Sequence, residues 1–280
     1  MKPCKVVAEV GAVHIGKMDR AKELITLAAF AKADYVKFQK RNPKESVPLE
    51  LQNKPHPNPF FAYGKTYLEH REKLEFTIEQ HAELKEFCEK IGIGYSTSVW
   101  DMTSAREVVS LNPDFIKVPS ACNLNYEMLD FLFNKYDGNI HISTGMTLPE
   151  EKKILYKKLN SLSHRVVIYH CTSEYPTSFE RLYLKEISRI QENFSGEVGF
   201  SNHGYGISCD IAGYILGATW IERHFIDDRV FRHTDASASL EPDGLRRLCR
   251  DLKAVQKAMQ YKDIDITEEE QKQRNKLKFS

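Results

Sequence analysis

Eight short apolar runs, each followed by a helical pattern, recur along this 280-residue chain, and that alternation restricts its fold more than any single motif does. The runs lie at 5–11 (KVVAEVG), 33–39 (ADYVKFQ), 92–98 (GIGYSTS), 114–120 (DFIKVPS), 139–144 (NIHIST), 165–172 (RVVIYHCT), 197–203 (EVGFSNH) and 219–225 (TWIERHF). Amphipathic segments separate them. One of these, TIEQHAELKEFCEKIG, opens with Thr77 and Gln80 at the spacing of a reciprocal N-terminal cap, aligns Leu84, Phe87, Cys88 and Ile91 on one face, and stops at Gly92. Others repeat Leu184, Ile187 and Ile190, or Leu245, Leu248, Leu252 and Val255. Eight such pairs predict an α/β fold, a (β/α)8 TIM barrel over residues 1–260, because a single barrel of this kind takes about 250 residues. An open doubly wound sheet would carry a glycine-rich turn after its first strand, and EVGAVHIG lacks the G-x-G-x-x-G spacing.

Residues 40–76 break the rhythm with five prolines among mixed aromatics and predict a long loop after the second strand, of the kind that usually serves function. Residues 261–280 predict a polar tail, either a short helix or an irregular end. The 40 basic and 39 acidic residues nearly cancel, which argues against a nucleic-acid or anionic-membrane partner. Six cysteines without a C-x-x-C pair fit reduced thiols, and no run approaches the ~18 apolar residues of a membrane span, so a cytoplasmic location is expected.

Barrel active sites form at the C-terminal strand ends, and here those ends are polar. They carry Glu9, Lys37, Gln39, Thr97, Lys117, Ser120, Ser143, His170, Ser173, His203, Glu222 and His224. Strand alternation sends Glu222 and His224 to one face and Ile221, Arg223 and Phe225 to the other, so the first pair is expected to point into the barrel mouth. A lone strand histidine such as His170 is more often a hydrogen-bonded structural residue. His203 and His224 with nearby carboxylates instead suit a divalent metal such as Mn, Fe or Zn. Lys37 and Lys117 sit mid-strand among apolar residues, where bare ammonium groups are costly. They are expected either to hold a phosphate and a carboxylate, with hydroxyls from Thr97, Ser120 and Ser143 beside them, or to pair with barrel carboxylates.

The ordered stretches AEVGAVHIG, YVKFQ, STS, IKVPS, ISTGM, HCTSEYPT, GFSNH, IERHF and TDASASLEPDGL resemble the motifs of the sialic acid synthase family, over roughly residues 5–250. That resemblance implies a barrel enzyme condensing phosphoenolpyruvate with an N-acylated amino sugar to give a nonulosonic acid, with Mn2+ or Mg2+ on His203 and His224. It also implies that Lys37, Thr97, Lys117, Ser120 and Ser143 contact phosphoenolpyruvate, and that Glu9, Tyr175, Glu222 and Asp235 lie on the sugar side or around the reacting centre, with Gln39 and Ser173 as further substrate-binding candidates. Glu9, Glu222, Lys37 and Lys117 are the expected catalytic groups, and a homodimer is the expected assembly.

The chain departs from the family pattern at Val13, Cys122, Ser173 and Ala236, positions expected to bear on the acceptor. Family members continue into a small antifreeze-like domain whose arginine reaches the partner's site, and Ser280 falls about where that linker would begin. The 40–76 segment is expected to supply that charge from Lys65, His70 or Arg71, chiefly Arg71. Two further functions stay open at this point. One is a metal-dependent hydrolase on a barrel, which has no need of two cationic lysines, and the other is a non-catalytic binder of sugar or phosphoenolpyruvate.

Overall fold

The computed structural model describes residues 1–279, and Ser280, the last residue of the expected tail, lies outside the described residues. The strands are β1 (Lys5–Gly11), β2 (Tyr35–Lys40), β3 (Gly94–Val99), β4 (Phe115–Val118), β5 (Asn139–Ser143), β6 (Val166–Cys171), β7 (Glu197–Asn202) and β8 (Trp220–His224). Each pairs in parallel with the next, and β8 closes onto β1, so the sheet is a closed barrel in sequence order. The eight covering helices are α1 (Met18–Phe30), α5 (Ile78–Ile91), α6 (Met102–Leu111), α7 (Tyr126–Lys135), α8 (Pro149–Leu159), α9 (Glu186–Asn193), α10 (Ser208–Ile215) and α11 (Pro242–Ala258). The chain is a (β/α)8 TIM barrel.

Local chemistry explains where the elements stop. β4 ends at Val118 because Pro119 has no N–H to give to the ladder, so the run expected to reach 120 is cut short. In α5, Thr77 Oγ1 accepts from the Gln80 N–H at 3.3 Å while Gln80 Oε1 accepts from the Thr77 N–H at 2.9 Å, the reciprocal cap its spacing predicts. Its other end closes at Gly92, whose φ of 76° lies in the left-handed region that glycine adopts without strain.

Two apolar layers follow from strand alternation. Outward residues such as Val6, Ala8, Phe38, Ile116, Ile168 and Ile221 pack against the helices, where Leu24, Leu84 and Leu129 are fully buried, each such side chain contributing roughly 2 kcal/mol. Inward residues at the lower end, Val7, Phe115, Val167, Tyr169 and Trp220 with partly buried Tyr35, fill the barrel bore. His141 stacks on Phe115 at 3.8 Å and its Nδ1 lies 3.0 Å from the Tyr169 hydroxyl. This aromatic plug closes the bore from below, and the cavity at the C-terminal strand ends opens above it.

The 40–76 segment is folded rather than a loop. It contains α2 (Pro43–Ser46), α3 (Leu49–Gln52), a 3-10 turn at Pro59–Phe61 and α4 (Tyr67–Leu74), which begins with a Thr66–Glu69 reciprocal cap. Only His70 and Leu74 of α4 are buried, so its one-sided pattern is too brief to register as helical periodicity. The tail carries α12 (Glu268–Leu277), a polar helix with no buried residue. None of the helices is long and apolar enough to cross a membrane among the described residues.

Candidate active site

Above the plug a cavity of about 400 Å3 opens at the C-terminal strand ends. Its floor is set by alternation along the strands, which turns Glu9, Lys37, Lys117 and Glu222 inward from four different strands. Lys117 Nζ sits 3.1 Å from Glu222 Oε2 and 3.4 Å over the Tyr169 ring, where a buried cation gains from the ring's negative face. Lys37 pairs with Glu9, lies 3.8 Å from Glu222 and donates to Ser98 Oγ at 2.9 Å. Gln39 Nε2 donates to Glu9 Oε1 at 2.9 Å, and Ser201 donates to Glu222 at 3.1 Å.

The two lysines therefore do both things open to them. They face the cavity, and each is neutralised by a barrel carboxylate, so they are not the bare cationic cradle that an anion-binding role suggests. The carboxylates are pushed apart. Burial raises Glu9, with Lys37 opposing, whereas for Glu222 the same burial is outweighed by Lys117 and Lys37, which hold it down to about 2. Glu9 is thus the member of the quartet that takes a proton more readily, and a protonated Glu9 frees the Lys37 ammonium to face a ligand anion.

Hydroxyls form a second wall. Ser120, Ser143 and Ser173 line the cavity around Gly145, whose N–H donates to Ser120 Oγ at 3.0 Å. A Cβ on Gly145 would stand 2.3 Å from Ser173 Oγ and 2.9 Å from Ser120 Oγ, so glycine keeps this group of donors open.

The imidazoles form a third wall. His203 and His224 have ring centroids 5.4 Å apart, and Tyr175 lies 4.1 Å from the His203 ring. His203 Nδ1 donates to the Thr172 carbonyl at 2.9 Å, which leaves Nε2 with its lone pair, the arrangement that orients a metal-ligating imidazole. Burial pushes His224 down to about 4 although Asp235 Oδ2 is 3.9 Å away, so its ring is neutral near pH 7, and its buried Nδ1 has no hydrogen-bond partner. Among the described residues no three His, Cys, Asp or Glu groups converge as a closed cage. The two imidazoles fit an open divalent site whose remaining positions go to water or substrate oxygens rather than a structural one.

Several expected residues lie elsewhere. Thr97 does not reach the cavity, because it is in register with Phe38 and Ile116 on the outer face of the sheet, and Ser98 points inward in its place. His170 also faces outward, stacked on Phe200 and with Nε2 2.7 Å from the Leu182 carbonyl, the structural use of a strand histidine. Lys65 is exposed and off the wall, whereas His70 and Arg71 line it. Of the four departures only Ser173 lines the cavity. Val13 and Ala236 pack in the barrel–helix core, and the Cys122 thiol donates to the Trp100 carbonyl at 3.4 Å. Asp235 holds its place between His224 and His233, its Oδ2 3.6 Å from His233 Nδ1. Missed in sequence were Arg41, Trp100, Ser201 and His233, the first standing one residue beyond the end of β2.

The NeuB family profile matches residues 24–263. N-acetylneuraminate-9-phosphate synthase of Homo sapiens is 34% identical over 258 residues, covering 92% of this chain and 71% of that protein. N,N'-diacetyllegionaminic acid synthase of Campylobacter jejuni is 33% identical over 263 residues, covering 92% of this chain and 78% of that protein. A crystal structure of N-acetylneuraminic acid (sialic acid) synthetase from Leptospira borgpetersenii serovar Hardjo-bovis aligns with a TM-score of 0.82 over 99% of this chain and 93% of that one. Its 23% identity bears on the fold alone.

Proposed function

The chain belongs to the NeuB family, and from that premise we propose that it condenses phosphoenolpyruvate with an N-acylated amino sugar, forming a nonulosonic acid and releasing phosphate. The relatives' names speak for such products, N-acetylneuraminate 9-phosphate in one and diacetyllegionaminic acid in the other. The observation that carries the reading is the buried Glu9–Lys37–Glu222–Lys117 quartet beside two imidazoles at one barrel mouth.

The reaction forms a bond between C3 of the enol and the sugar aldehyde carbon. Water adds at C2, the C2–O bond to phosphate breaks, and a 2-keto acid remains. Lys37 and Lys117 balance the charge of the enol phosphate and its carboxylate, with Ser98, Ser120, Ser143, Ser173 and the Gly145 loop donating to its oxygens. Glu9 delivers a proton to the oxygen of the aldehyde as it becomes a hydroxyl, and Gln39 fixes the orientation of that carboxyl. Glu222 enters the reaction ionised and receives the proton lost by the attacking water, Ser201 and Lys117 holding it in place. Tyr175, Asp235 and Arg71 surround the acceptor. A manganese or magnesium ion on His203 and His224 would supply Lewis-acid polarisation of the acceptor carbonyl.

Six free cysteines suit a reducing compartment, and we read the protein as cytoplasmic. The family resemblance favours a homodimer. Phosphate release from phosphoenolpyruvate with Mn2+ and a panel of N-acylated amino sugars tests the central reading. Sugar-dependent release is expected, and none with any sugar would overturn it.

A further inference from the structure

Arg223 is fully buried on the outer side of β8, between Ile221 and Phe225, which are buried and apolar. Its Nη1 lies 2.7 Å from Asp210 Oδ2 in α10 and also donates to the Gly206 carbonyl at 2.7 Å, while Nη2 donates to the Gly204 carbonyl at 2.7 Å. The Nε is buried without a partner. A buried ion pair with an idle donor is a poor way to gain stability, because apolar side chains of similar volume often serve a core as well or better. Something other than holding the core together has to account for it.

Strand register points to the reason. Asn202 of β7 is in register with Arg223 of β8, and Ser201 with Glu222 one step earlier. Ser201 and Glu222 line the cavity, so Asn202 and Arg223 turn outward, and each directly precedes a cavity imidazole, His203 or His224. The Asn202 side chain donates to Asp210 Oδ1 at 2.7 Å and accepts from the Gly204 N–H at 2.7 Å, bridging the backbone on either side of His203. Arg223 therefore grips the chain around His203 twice: directly at the Gly204 and Gly206 carbonyls, and through Asp210 onto Asn202. Its own next residue is His224. We propose that the Asn202–Asp210–Arg223 network is a positioning device that sets the two imidazoles relative to each other from behind the sheet, with their ring centroids 5.4 Å apart. Arg223 touches no substrate and acts through the histidines on either side of it. This rests on the reading of those histidines as a divalent-metal pair and deepens it.

The test exchanges the charged pair for an apolar one in the full chain, Arg223→Met/Asp210→Leu, because removing one partner alone would strand the other charge in the core. Mn2+ affinity is read from the electron paramagnetic resonance of the free ion and folding from the thermal midpoint. A third readout needs no metal: the His203 Nδ1 proton, held by the Thr172 carbonyl, followed by heteronuclear magnetic resonance of the metal-free chain. The expected result is a midpoint at or above wild type, a Mn2+ dissociation constant raised by roughly 10- to 100-fold, the scale for losing support behind a metal-ligating histidine, and loss of the ring proton to solvent exchange. Arg223→Lys keeps a charge for Asp210 without the planar fork that spans both carbonyls, so it should show a smaller rise, and it decides the matter should the double variant not fold. A lowered midpoint with Mn2+ affinity equal to wild type is the signature of a merely structural pair, and unchanged affinity in either folded variant would overturn the inference. If wild type itself binds no Mn2+, the metal reading falls and the ring proton decides alone. Its loss in the variants then upholds the positioning network, and its persistence overturns it.

Discussion

Lys117 Nζ lies 3.1 Å from Glu222 Oε2 and 3.4 Å above the centre of the Tyr169 ring, so a single buried ammonium joins the reactive quartet to the aromatic plug beneath it. Lys117→Met should therefore fail twice. Of its two lysines Glu222 would keep only Lys37, at 3.8 Å, and an undercompensated buried carboxylate costs roughly 3–5 kcal/mol. Urea unfolding should show that loss, and phosphate release should fall by at least about 100-fold, the lower end of what a positioned charged group contributes. The double variant Lys117→Met/Glu222→Gln should recover most of the stability and none of the turnover. Recovered turnover would remove Lys117 from the chemistry.

The imidazole pair makes a binding prediction that needs no turnover. Titration of Mn2+ followed by the electron paramagnetic resonance of the free ion should give one site per chain. His203→Ala and His224→Ala should each weaken it by more than the roughly 10- to 100-fold that loss of a supporting contact costs a metal site. Unchanged affinity in both variants would place any metal elsewhere.

Gly145→Ala is a gentler probe of the serine wall. Its Cβ would crowd Ser173 Oγ and Ser120 Oγ at 2.3 and 2.9 Å, both of them hydroxyls that can rotate away. The expected outcome is a KM for phosphoenolpyruvate raised about tenfold, equivalent to one good hydrogen bond, with the thermal midpoint nearly unchanged. A KM equal to wild type would detach this wall from the enol phosphate.

Glu75 should leave a mark on pH-dependent stability. Burial raises its carboxyl from 4.5 to about 7 despite Arg41, whose backbone N–H donates to it at 2.9 Å. Between those two values the folded chain holds a proton that the unfolded chain has lost. This group's contribution is therefore complete below pH 4.5 and declines as pH rises through 7. Glu75→Gln should abolish that decline. The difference in melting temperature between wild type and variant should move in the variant's favour from pH 5 to pH 8, by about 2–4 °C for each kcal/mol involved. A constant difference would contradict the assignment.

The barrel was legible in the chain because eight alternating units leave few other solutions, and the inward set at 222 and 224 could be phased because Ile221, Arg223 and Phe225 flank it. Thr97 shows where that reasoning runs out. In STS every position is polar, so a period of two has no phase to reveal, and only pairing with Phe38 and Ile116 decides that Ser98 rather than Thr97 faces the cavity. The neutralised state of the lysines is a matter of three-dimensional partnership between β1, β2, β4 and β8, which no local pattern encodes. Arg41 and Trp100 were invisible for a similar reason. They lie past their strand ends, and what singles them out is the stacking of one on the other.

The two feet of the 40–76 excursion are clasped where the Arg41 N–H meets Glu75, and β2 and α5 continue in ordinary barrel fashion on either side. Most of one cavity wall is thus carried by an appendage whose removal leaves the ring of strands complete. Such a part works as an exchangeable cassette. Descendants of this chain could acquire a taste for new sugars by rewriting some thirty-five consecutive codons, about the span between those two feet, while the machinery that joins carbon to carbon stays untouched.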